Sequence, residues 1–264
     1  RRILLARILQ AHPVADSEHM PIDHTTELAG ELGRFLDQVQ TERLDFDSLA
    51  ALVPAEYAAH WQETLTFLHV LTDVWPDLLA AEGVIDAADR RNLLLSARAD
   101  ARRREPPTDP VIAAGSTGSI PATADLLATV AGLPAGYVVL PGLDRVLDEM
   151  SWSSLDPSHP QFGLRQLLLR LGAERAGVRE WPGAHEPGTV GPARMRLVSE
   201  AMRPAATTEA WRGERGSIGA EALAGVRRID ACEPHEEAGA VALVLREVLE
   251  TPGRTGALVT PDRT

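Results

Sequence analysis

Apolar positions recur every three or four residues from about residue 20 to residue 104, and that period predicts helices. In "DHTTELAGELGRFLDQVQTERL" the residues Leu28, Leu32, Phe35, Leu36 and Val39 fall on one helical face, with Asp23, Thr25 or Thr26 as candidate caps. "EYAAHWQETLTFLHVLTDVWPDLLAAEG" predicts a second long helix whose stripe is Trp61, Leu65, Leu68 and Leu71/Thr72, ended by Gly83. "DAADRRNLLLSARADARRRE" predicts a third, with Asp86 as its cap and Pro106-Pro107 as its stop. The chain opens in the same amphipathic manner, with "RRILLARILQ".

From Pro110 the pattern changes. "VIAAG" is a short apolar run that reads as a strand, residues 122 to 131 read as a helix, and "GYVVLPG" reads as a second strand. This is a β–α–β unit, which predicts parallel neighbouring strands and a right-handed crossover. A stretch rich in Gly, Pro and Trp follows, then a compact helix in "HPQFGLRQLLLRLG". Residues 181 to 192 read as a loop, and helical patterns resume over residues 193 to 224. "GVRRIDA", "EPHEEAGAVALVLREVLE" and "GALVT" then read as strand, helix and strand, a second β–α–β unit. No internal repeat or low-complexity tract interrupts this order.

Composition narrows the chemistry. The chain has 264 residues, 44% of them hydrophobic, enough for a sizeable core. The net charge is −12 and all 26 basic residues are arginine, which argues against a uniformly basic coat and leaves room for a local arginine-lined channel. The single cysteine, Cys232, allows no disulfide within this sequence and no cysteine-based zinc or iron–sulfur site, and is expected as a buried small hydrophobe. No apolar run approaches the roughly 20 residues that span a bilayer. The helix-like start and the strand-like end, "TGALVTPDRT", lead us to expect an internal portion of a longer protein.

The sharpest chemical question lies at Gly115-Ser116-Thr117-Gly118-Ser119, between a predicted strand and a predicted helix. That is the layout of a phosphate-binding loop. The P-loop spacing is not met, because the glycines are three apart and Ser119 stands where lysine is needed. The dinucleotide pattern of three glycines is not met either. A plain strand-to-helix turn is the simpler expectation. Arg102-Arg103-Arg104 suits a helix C-terminus electrostatically, and is also a candidate nucleic-acid contact. The eight histidines show no metal-binding spacing, no G-x-S-x-G elbow is present, and Glu236-Glu237 suit a helix N-terminus without a catalytic role.

Three stretches together carry a resemblance: "GSTGSIPATADLLATVAGLPAGYVVLPGLD", "LDPSHPQFGLRQLLLRLG" and "ACEPHEEAGAVALVLREVLETPGRTGALVTPDR". They resemble the alphaproteobacterial form of the AddB family, the subunit that works with the helicase–nuclease AddA in double-strand-break repair and is similar in role and layout to RecC. The likeness runs from about Ile3 to Arg263, with the "HPQ" and "EPHEEA" segments its more specific parts.

The resemblance implies an α/β fold, a degenerate P-loop (superfamily I helicase-like) parallel sheet with a large all-helical insertion. Residues 1–105 would be the insertion, 106–224 the remainder of the first helicase-like domain, and 225–264 the start of the second. An active motor carries Asp-Glu at the end of the strand that "VIAA" occupies, to hold Mg²⁺ and orient water; here the residues are Ala114-Gly115. Gly142-Leu143-Asp144 follow the next strand where a motor has a γ-phosphate-sensing glutamine, and Arg263 is out of step with the expected phosphate-contacting arginine.

By that resemblance, the segment is a non-catalytic scaffold in the cytoplasm, with no membrane contact and no cofactor of its own. ATP and Mg²⁺ would be used by an AddA-like partner or by a nuclease domain elsewhere in the parent chain. Partners would be that AddA-like subunit and single- and double-stranded DNA. Candidate DNA contacts, or remnants of a nucleotide site, are Gly115, Ser116, Thr117, Gly118, Ser119, Trp152, His159, Arg102, Arg103 and Arg104. The alternative is an α/β small-molecule or nucleotide-binding enzyme that uses the Gly115 turn as an anion site.

Overall fold

The structure is a computed structural model that describes residues 1–11, 21–44, 70–182, 191–213 and 216–260. It is mostly helical, with one two-stranded parallel sheet among the described residues. Helix α1 (Arg2–Ala11) lies against α2 (Ile22–Glu42), and Leu5, Leu9, Ala29, Leu32 and Leu36 form a core completed by Trp75 of α3 (Trp75–Glu82). The apolar face predicted for α2 is the face that packs: Leu32, Leu36 and Val39 are buried and Leu28 sits at the cluster edge, while Phe35 remains exposed. The stripe expected at Trp61, Leu65, Leu68 and Leu71 lies outside the described residues and side chains. The chain is next seen in a π-helical turn, Val70–Val74, leading into α3, which stops at Gly83 as its sequence requires.

Two caps differ from expectation. Helix α2 starts after Pro21, and no side chain caps it. Thr25 and Thr26 instead donate back to the Pro21 and Ile22 carbonyls, at 3.0 and 2.6 Å, because threonine inside a first turn reaches the carbonyl four residues behind it. Asp86 does precede α4 (Ala87–Arg104), but its carboxylate turns inward. It accepts from Trp75 Nε1 at 2.8 Å and Gln40 Nε2 at 2.9 Å, and pairs with Arg1 Nε at 3.2 Å. A buried indole N–H and an amide need an acceptor more than an exposed helix end does, since water serves the latter. Asp86 thereby ties α1, α2, α3 and α4 together.

Strands β1 (Val111–Ala114) and β2 (Gly136–Val139) pair in parallel, Val111 opposite Gly136 through Ala114 opposite Val139. Helix α5 (Pro121–Ala131) makes the crossover, so the first β–α–β unit forms where the sequence placed it. One face of α5 covers the sheet, and Ala124 and Leu127 meet Leu167 of α7 (Phe162–Leu171), with Ala113 and Val138 of the strands at the edge of the cluster. Another face packs along α4. Between them, Asp125 accepts from Arg43 at 2.7 Å and pairs with Arg170, so the helical region and the sheet unit are cross-linked by charge as well as packing. The short helix α6 (Glu149–Ser153) and α7 share a further cluster of Leu147, Trp152, Leu155 and Leu168.

The second expected β–α–β unit forms only its helix, α9 (Pro234–Glu250). Residues 226–231 and 256–260 have no strand partner among the described residues. A parallel strand obtains its hydrogen bonds and its covered faces from neighbours, and here Val226, Ile229, Leu258 and Val259 stay exposed. Cys232, expected to be buried, is exposed on the same segment. The helical patterns of residues 193–224 become one α-helix, α8 (Pro192–Ala201), and two 3₁₀ turns, Ala205–Arg212 and Ala220–Leu223.

Candidate functional site

The glycine turn does what a strand-to-helix connection requires. Gly115 and Gly118 both have positive φ, +79° and +63°, a region that favours glycine. The Gly115 N–H continues the parallel ladder to the Val139 carbonyl at 3.2 Å, and the Gly118 N–H donates to the Ser116 hydroxyl, also at 3.2 Å. Two of the donors that a phosphate would need are therefore committed inside the protein. Gly118 is buried beneath Leu167, and a β-carbon there would lie 2.9 Å from that side chain. Pro121, which has no N–H, opens α5. Ser119 rests near Gly163 at the start of α7, and Thr117 is exposed.

The arginine run ends α4 beside α5. Arg103 donates to the Thr129 hydroxyl at 2.8 Å and pairs with Asp100, while Arg104 reaches the Asp100 carbonyl at 3.4 Å. Arg102 and Arg103 line a cleft of about 420 Å³ with Pro106, Asp125 and Thr129. Three cations in a last helical turn are favourable in themselves. The exposed pair with Asp100 contributes little, so these guanidinium groups can turn towards another anion.

Trp152 and His159 lie elsewhere. Trp152 is 7% exposed and belongs to the α6–α7 core. The Arg175 guanidinium stacks over its ring at 4.6 Å, so a base can stack on this indole only if Arg175 leaves. His159 uses both ring nitrogens: Nε2 is 2.6 Å from the Met202 carbonyl, and Nδ1 accepts from the Gln161 N–H at 3.1 Å. With Nδ1 accepting, Nε2 is the nitrogen that faces the Met202 carbonyl, and the imidazole joins the α7 entry to the end of α8. Nearby, the Ser158 hydroxyl and N–H hold the exposed Asp156 carboxyl below its usual range. The sequence-selected residues thus fall into three places: the turn, the end of α4, and the α6–α7 region.

The strongest polar constellation was not visible in the sequence. Arg203 is nearly buried and forks onto Glu200, Nε to Oε2 at 2.8 Å and Nη2 to Oε1 at 2.7 Å. Its Nη1 meets the Asp148 carboxylate and, at 2.6 Å, the Ser151 hydroxyl, which in turn lies 2.7 Å from the Thr207 hydroxyl. Asp148 caps α6 by accepting the Ser151 N–H at 2.9 Å. That bond, reinforced by Arg203 and the Ser151 hydroxyl, lowers the Asp148 carboxyl to about 2, and the bidentate bonds to Glu200 raise the Arg203 guanidinium further above its already high value. The cluster fastens α6 to α8 and the following 3₁₀ turn. Its hydroxyl is fully buried and has no access for a substrate, so its role is structural. The one local signal in the sequence was Glu200 three residues before Arg203.

Among the described residues no group of three or more His, Cys, Asp or Glu side chains is placed to hold a metal ion, and no helix is long and apolar enough to cross a membrane. No family model, no curated protein and no solved structure matches the chain.

Proposed function

We propose that the chain is a helicase-like scaffold that has lost its hydrolytic residues, part of an AddB-like subunit, and that it serves double-strand-break repair by binding a DNA strand and an AddA-like partner. The observation that carries this reading is the end of β1. Ala114 and Gly115 stand there in a parallel β–α–β unit, and the turn that follows has neither lysine nor carboxylate and has committed the Gly115 and Gly118 N–H groups internally. A γ-phosphate at this turn would meet no cation and no positioned water. The frame persists without the chemistry, and a fold kept without its chemistry fits a binding role.

The arginines fit the same role. With no lysine in the sequence, every cationic phosphate contact would be a guanidinium, which suits bidentate binding of phosphate. The test uses the chain together with its AddA-like partner and single-stranded DNA, from about 50 to 200 mM salt. Affinity that falls steeply with salt supports the reading; no measurable strand binding removes it. Changing Arg102, Arg103 and Arg104 to Ala is expected to flatten the salt slope, and an unchanged slope takes the α4 terminus out of the DNA path. The chain by itself is expected to turn over no Mg²⁺-ATP. Turnover abolished by Ser119→Ala would restore the turn as a catalytic site.

A further inference from the structure

One cleft among the described residues involves neither the glycine turn nor the arginine run. It has a volume of about 630 Å³ and lies where α6, α7 and the 3₁₀ turn Arg175–Gly177 meet, with Arg145, Arg165 and Arg175 on its walls and Glu149 and Glu174 also facing it. Three guanidinium groups converging on one cavity is a local reversal in a chain whose net charge is −12.

The three arginines are held differently. Arg175 is fixed: its side chain is only 14% exposed, it stacks on Trp152, and it donates to Glu149 at 2.9 Å. Arg145 is paired with Glu180 at 2.8 Å, but more than a third of each side chain is in water, so that pair is exchangeable at little cost. Arg165 makes one long bond, 3.4 Å to the Leu155 carbonyl, and no ion pair among the described residues. Most of its five N–H donors are unclaimed. Leu168 and Leu169 supply apolar surface beside these charges.

Unclaimed planar donors next to apolar surface suit an anion with several oxygens attached to a partly apolar body. We propose that this cleft binds the phosphodiester backbone of a single nucleic-acid strand, with Arg165 as the principal phosphate contact, Arg145 as a second that swings from Glu180, and Arg175 as a fixed charge behind them. The proposal rests on the strand-binding reading above and assigns it to a place. The cleft is many times larger than one phosphate ion, which favours a chain of phosphates and sugars over a free ion. Glu174 has no cationic partner among the described residues and opposes any anion bound there.

The test is the binding of an oligothymidylate by the full chain, read by anisotropy across a salt series. Arg165→Ala is expected to weaken binding about tenfold, the loss of one charge-assisted hydrogen-bonding group. It should also lower the logarithmic salt slope by about 0.7, the loss of one single-strand phosphate contact. Arg165→Lys should recover the slope and part of the affinity, and Glu174→Gln should tighten binding. Among the described residues Arg165 makes only one long bond, so its removal should cost little stability, and an unchanged melting temperature in each variant excludes misfolding as the cause. If the wild-type chain binds the strand and Arg165→Ala leaves affinity and slope unchanged, the cleft is not the site, while the strand-binding reading stands. If pyrophosphate displaces the strand at equal concentration of phosphate groups, the site recognises a free phosphate and the assignment to a strand fails. If no strand binding is seen at any salt, both readings fall together.

Discussion

Residues 111–139 and 225–260 are written in the same way: a short apolar run, a polar break, an amphipathic helix, and another short apolar run. Only the first becomes a β–α–β unit. Its helix α5 buries Ala122, Ala124, Leu127 and Val130, and its strands pair with each other. In the second, α9 forms at full length with no buried residue. Of its half-covered stripe, Leu245 and Val248 lie beside Gly256 of the returning segment. The contrast separates two kinds of information. A helix closes its own hydrogen bonds, so its local pattern is enough to place it. A strand's hydrogen bonds belong to its neighbour, so its local pattern is only an eligibility.

The comparison can be broken hardest at the glycines. In the first unit, a β-carbon on Gly136 would overlap the Val130 carbonyl and come within 3.0 Å of Leu133 Cβ. Neither neighbour is the free end of a flexible side chain. Gly136→Ala is expected to cost about 4 kcal/mol or more and to abolish cooperative melting of the β1–α5–β2 region. Leu167→Ala removes the side chain that seats both Gly118 and the α5 face, and should cost about 3 kcal/mol in denaturant unfolding. If these substitutions prove as mild as changes in α9, the packed unit is not what distinguishes the two regions.

The Arg203 cluster tests whether the stable region extends beyond the sheet. Arg203→Met leaves Glu200 buried without its cation and should destabilise by about 3 kcal/mol. Acid acts on the same cluster more gently. The Asp148 carboxyl lies at about 2 in the folded chain against 3.8 as its ordinary value. A lowered folded value contributes stability that is fully present above the ordinary value and is lost as the pH falls through about 2. Because the side chain is half-exposed, solvent screening reduces that contribution to about 1 kcal/mol. Denaturant midpoints measured between pH 5 and pH 2 should therefore fall less in Asp148→Asn than in the wild-type chain; parallel curves would remove Asp148 from the acid response.

The same distinction governs what was legible in advance. The α2 face, the Gly83 stop, the α4 boundaries, β1, α5 and β2 were all readable, because periodicity and turn residues act over a few positions. The Asp86 carboxylate was placed correctly in the chain and wrongly in its role, since its partners Gln40 and Trp75 lie 46 and 11 residues away. Trp152 was a candidate DNA contact in the sequence, but Arg175, 23 positions later, stacks on it. Arg145, Arg165 and Arg175 carry no local motif at all, and only the meeting of α6, α7 and the turn at Arg175 gathers them around one cleft. Long-range partners decide which polar side chains are committed and which are available, and availability is what makes a candidate site.

The smallest expected effect is also the most discriminating. Gly239 sits inside α9 with nothing within 4 Å of where a β-carbon would be. Substituting alanine in a free-standing helix should stabilise that helix by about 1 kcal/mol through backbone entropy alone. Because α9 is not packed into the core, this gain should appear locally, as slower amide exchange across Pro234–Glu250, with no change in the melting of the β1–α5–β2 region. A global rise in melting temperature on Gly239→Ala would show that α9 is energetically coupled to the rest of the chain and that the two units differ less than their burial implies. Slower exchange confined to α9 would establish it as an element energetically independent of the packed unit.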